Sequence, residues 1–212
     1  MIRHTSIMAA LALVCALAAM PAPAHAGAQA DATADKATVA RLAQRDLWDE
    51  HIFWVRNVVS ATALGNASAA TAAEAEVVKN ARQIADSIAP FYGKPAADQL
   101  FGLLKGHYGP IRQYLDATMA NDAGKRGEAQ KALAANAGAL AKFLSGANPN
   151  LPYDTVNGLL LAHGGHHVAQ IDQFKAKQYA EEAQTWNAMR VHIHGIADAI
   201  AGALVKQFPQ KF

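Results

Sequence analysis

Seven histidines follow residue 26 of this chain: His51, His107, His163, His166, His167, His192 and His194. A neutral imidazole is the commonest transition-metal ligand, so their placement matters more than their number. Leu47, His51, Trp54 and Val58 step by three and four, and so do Leu103, His107, Ile111 and Tyr114. Val156, Leu160, His163, His167 and Phe174 do the same with Gln170 and Ile171 beside them, and Val191, His194, Ala201 and Val205 share a face with Asp198. Each run reads as the apolar stripe of a helix with a histidine in core register. His163 with His167, and His194 with Asp198, also place a second donor one turn on, where two side chains of one face can grip one ion.

The expected metal set is therefore His51, His107, His163 and His194, supported by His167 and Asp198. Nitrogen and oxygen donors of this kind suit zinc, copper(II) or nickel, and helical bundle cores are a usual place to build such sites. The one cysteine, Cys15, lies in the first segment, so thiolate chemistry and copper(I) storage are not expected. No Glu-x-x-His pair supplies a carboxylate-rich di-iron site, and no Cys-x-x-Cys-His attaches a c-type haem. Facing histidines are also what a b-type haem uses, but nothing in the spacing singles it out. The plainer reading of any one inward imidazole is an interior residue hydrogen-bonded to a carbonyl, a tyrosine or an acid. Asp49, Glu50, Asp198, Tyr108 and Tyr114 are placed to do that. His166 and His192 fall off the stripes and are expected in solvent or at the rim.

Trp48, Trp54 and Arg56 cluster beside His51. They could wall a pocket with a cationic anchor for a carboxylate or phosphate on a small ligand. The alternative, which the residue types favour, is two core tryptophans and an arginine paired with an acid. No G-x-S-x-G, P-loop or H-E-x-x-H motif is present, so an enzyme is the weakest of the classes.

Positioning these residues requires helices throughout. From residue 35 onward no alternating run is long enough for a strand. Helices are expected near 36–64, closed by Gly65-Asn66; 68–88, begun at Ser68 and ended by Pro90; 95–119, kinked at Pro110; 125–144; 152–178; and 180–207, ended by Pro209. Connections this short make neighbours antiparallel. The expected fold is all-α, an up-and-down helical bundle of four long helices with one or two accessory helices.

The chain begins with Arg3 and His4, an apolar run over 7–19, Pro21 and Pro23, and Ala24-His25-Ala26. This is the pattern of a cleavable signal peptide, with cleavage expected after Ala26. The apolar run falls short of the ~20 residues needed to cross a bilayer. The domains are therefore read as a signal peptide over 1–26, a flexible tether over 27–34 and one helical bundle over 35–212, periplasmic or secreted. Nineteen basic against seventeen acidic residues, without a basic tract, give little support to nucleic acid or an anionic membrane as partner.

The blocks Leu47-Trp48-x-x-His51-x-x-Trp54-x-Arg56 and Val205-Lys206-Gln207-Phe208-Pro209, with Phe91-Tyr92-Gly93 and Phe143-Leu144 before Asn148-Pro149, resemble a group of uncharacterised all-helical bacterial proteins. The resemblance implies a helical fold and draws attention to His51, Trp54 and Arg56. It supplies no mechanism. Two functions are carried forward: an exported bundle binding a transition metal or small ligand through inward histidines, and a non-catalytic cell-envelope interaction protein whose histidines are structural.

Overall fold

The computed structural model describes residues 25–212, with side chains from residue 35. The segment read as a signal peptide therefore lies almost wholly outside the described residues. The described backbone of 27–34 is helical and continuous with the first helix.

The described residues form six long helices and one short one, α1 His25–Ala63, α2 Ala67–Asp86, the short α3 Ala89–Tyr92, α4 Lys94–Met119, α5 Ala123–Ala147, α6 Tyr153–Ala176 and α7 Tyr179–Gln207, with a 3-10 turn at Pro209–Lys211. No strand occurs among the described residues. The all-α class is as expected, but six helices of 20 to 39 residues stand where four long ones with accessories were expected.

Local chemistry explains the boundaries. Gly65 takes a φ of 73°, the left-handed turn that ends α1. Asn66, not Ser68, caps α2, because its side chain accepts from the Ala69 N–H. The second helix stops at Asp86, and Pro90 sits in the first turn of α3. Pro95 opens α4 where its missing donor costs nothing. The helix then runs unbroken past Pro110, which leaves the Gly106 carbonyl without its usual partner one turn on. Asp122 caps α5, and Lys177, with a φ of 58°, closes α6. No described helix is long and apolar enough to cross a membrane.

Successive helices pack side by side, and α7 returns to α1, so the bundle closes on itself. One helix, α6, also reaches α4 and α1 across the middle. Small residues permit that central position. A Cβ on Gly164 would stand 3.0 Å from Leu133 of α5, so the glycine is what allows the two helices to approach this closely.

The apolar core is split in two. Trp48, Ile52, Leu104, Leu140, Leu160 and Ile193 belong to one cluster, while Val55, Ile111, Tyr114, Leu133 and Ile171 belong to the other. Along α1, α4 and α6 the residues between these clusters are His51, His107, and His163 with His167, all buried. A layer of imidazoles thus separates two greasy halves.

Candidate metal centre

His163 and His167 stand one turn apart on the central helix, with their Nε2 atoms 3.2 Å apart. His51 approaches from α1, its ring centre 5.6 Å from that of His163 and 6.1 Å from that of His167. Each of the three offers a nitrogen, and these nitrogens all lie within 4.8 Å of one another. At metal–nitrogen bonds of about 2.0–2.1 Å, two ligands on a tetrahedral ion sit about 3.3 Å apart, so the α6 pair already has the required spacing. The triad can hold a metal ion, with modest tightening on the His51 side.

Protonation states favour ligation. Burial pushes His51 down to about 3, with His107 nearby adding to the effect. Burial followed by the neighbouring imidazoles holds His163 and His167 well below the ordinary histidine value. The rings are neutral at pH 7, as ligand imidazoles must be. The Nδ1 atoms of His51 and His163 are buried without a hydrogen-bond partner, an arrangement that costs about 1–3 kcal/mol per orphaned group in an apolar interior. The triad contains no carboxylate.

His107 lies beside the triad. Its ring stacks on His163 at 5.6 Å, face to face at 18°, a geometry in which the two rings do not aim at a common point. Asn136 of α5 fixes it: the Asn136 amide donates to the Leu103 carbonyl at 3.1 Å, which turns Oδ1 toward His107 Nδ1 at 3.0 Å. Nδ1 therefore carries the proton, and Nε2 is a buried lone pair without a partner. Burial lowers the His107 pKa to about 4, the bond to Asn136 opposing. Gly106 makes room for this arrangement, because a Cβ there would come within 3.1 Å of the Asn136 amide.

His51, His107 and His163 also form one wall of an internal cavity of about 40 Å³, lined otherwise by apolar side chains such as Leu104, Leu140, Leu160 and Ile196. By volume it accommodates a water molecule or a comparably small molecule.

Two expected ligands go elsewhere. The His194 Nε2 meets Asp49 at 2.7 Å, and Asp198 takes both arms of Arg45 at 2.7 and 2.5 Å, so both residues of α7 serve a half-exposed seam with α1. Of the stripe expected on α7, Ala201 is buried, while His194, Asp198 and Val205 are half-buried. Val191 is 77% exposed, and the buried line is Met189, Ile193, Ile196, Ala197 and Ile200.

Trp48, Trp54 and Arg56 do not wall one pocket. Trp48 is buried, edge-on to His51 at 5.9 Å, and lines the cavity. Trp54 is half-buried and donates to Glu50 at 3.2 Å. Arg56 is committed to Glu182 of α7 through bonds of 2.7 and 2.6 Å, under Trp186 and Phe174. Glu182 is 2% exposed and also accepts from Gln170 at 2.9 Å.

Sequence reasoning missed Asn136 and Glu182. The first is a lone polar residue in the alanine run of α5, and its register was the available signal. The second lies in the first turn of α7, where an acid suits the helix dipole and passes for a surface residue.

Fold and site together define an all-α bundle with a buried histidine set of metal-ligand spacing. Comparisons with protein-family models, curated proteins and solved structures return no match.

Proposed function

We propose that this is an exported helical-bundle protein that binds one transition-metal ion, zinc, copper(II) or nickel, through His51, His163 and His167. The observation that carries the proposal is the convergence of three neutral, fully buried imidazoles from two helices within ligand spacing of one another. His107, with its proton held on Nδ1 by Asn136, presents a free nitrogen at the cavity wall, where it can hold a small molecule bound to the ion. Export is supported by the basic, apolar and small-residue succession at the start of the chain. The absence of cysteine after Cys15 also suits a compartment where free thiols oxidise.

Purified protein should take up one equivalent of Zn(II), Cu(II) or Ni(II), measured by elemental analysis after desalting. Uptake should raise the melting temperature, because a ligand at a hundred times its Kd adds about 2.7 kcal/mol to the folded state. No uptake and no thermal shift would leave the protein as an envelope interaction protein with structural histidines.

A further inference from the structure

His163 has imidazole neighbours on its outer side as well. His192 of α7 lies with its ring parallel to that of His163 at 6.5 Å, and His166 lies 5.4 Å beyond His192. Both outer rings are half-buried, whereas the triad is buried. A row of imidazoles therefore leads from the rim of the bundle to the centre.

We propose that His166 and His192 form an outer metal-binding pair through which a divalent transition-metal ion reaches the buried triad; this rests on the metal-binding reading above. Two imidazoles sharing a tetrahedral ion at ordinary bond lengths have ring centres about 5 Å apart, and this pair lies at 5.4 Å. The His192 Nε2 donates to the Leu159 carbonyl at 2.9 Å, which leaves Nδ1 as the lone pair. A backbone carbonyl that orients a ligand imidazole in this way is a regular companion of metal sites.

An ion stripped of water needs donors at each step, since moving a bare charge through an apolar interior is prohibitive. The internal cavity, lined mainly by leucine and isoleucine, offers few. The row His166, His192, His163, His167 offers one at each stage, with steps of 5.4, 6.5 and 4.6 Å.

The test uses Ni(II) alone as probe, with quenching of tryptophan fluorescence as the readout, because Trp48 stands 5.9 Å from His51. The His166→Ala/His192→Ala variant should reach the same final quenching as the unaltered protein but about tenfold more slowly, because an ion held at the rim faces the triad at a high effective concentration. The His51→Ala/His167→Ala variant should keep a weaker, fast-exchanging equivalent that the rim variant lacks. His166→Ala alone, which leaves the Leu159 bond intact, should slow loading in the same direction and guards against misfolding of the double variant. Loading of the rim variants at the unaltered rate overturns the outer pair and leaves the triad standing. No uptake by the unaltered protein overturns both.

Discussion

His163 and His167 face each other across one turn of the central helix with 3.2 Å between their Nε2 atoms, and both are buried from water. Two neutral imidazoles at that distance share one proton between two lone pairs, or share an ion. Replacing either should therefore break the site without touching its neighbours. His163→Ala is expected to lower metal affinity by about a hundredfold or more and to abolish the metal-induced rise in melting temperature. Equilibrium dialysis against Ni(II) measures the first and a thermal melt the second.

Acid should unfold the metal-free protein early. His51 and His107 are pushed down to about 3 and about 4, and His163 and His167 well below 6.5, so the unfolded chain binds protons that the folded one refuses. The stability these groups contribute is complete above pH 6.5 and is lost as pH falls from there toward the folded-state values. Each such histidine adds to the loss once the pH is below its unfolded-state value, and the four act in the same direction. Urea melts at pH 7, 6 and 5 should show the steep decline, and a flat profile over that range would contradict the buried, neutral layer.

Arg56 is expected to matter for folding and not for metal binding. Arg56→Met strips the partner from Glu182, which is 2% exposed, and should cost about 2–3 kcal/mol, below the range for fully buried pairs because the guanidinium is itself a third exposed. Chemical denaturation gives the loss. Metal stoichiometry of the folded fraction should remain at one equivalent, and its disappearance would place Arg56 in the site after all.

Adjacent glycines on α6 should respond unequally to alanine. A Cβ on Gly165 meets nothing within 4 Å, so Gly165→Ala should stabilise by about 0.5–1 kcal/mol through helix propensity. A Cβ on Gly164 meets Leu133 at 3.0 and 3.3 Å, so the shift that Leu133 must make should offset the same gain in Gly164→Ala and leave it less stable than Gly165→Ala by about 1 kcal/mol. Urea midpoints of the two variants decide it.

Much of this was legible in the sequence, for physical reasons. Gly65-Asn66, Pro95 and Pro209 punctuate the chain locally, and helix ends obey local chemistry, so the elements fell near their true positions. The stripe on α6 was also legible, because Val156, Leu160, His163, His167 and Phe174 are all buried, with Gln170 and Ile171 beside them. On α7 the same reasoning failed. That helix packs on both α1 and α6, and its buried line through Met189, Ile193, Ile196 and Ala197 leaves His194 at the seam with α1. Packing between distant segments was out of reach: nothing local to Arg56 points to Glu182, 126 residues away.

Three uncharged imidazoles with no acid among them leave electroneutrality unmet. A divalent ion lodged there would bring its entire double charge into an oily interior, at a penalty of several kcal/mol. Glu182 cannot offset it, being already balanced by Arg56. The ion should therefore travel with a small counter-anion, hydroxide or a halide, seated in the 40 Å³ hollow next to His51 and His163. How firmly the protein holds its metal would then depend on which salt is dissolved around it.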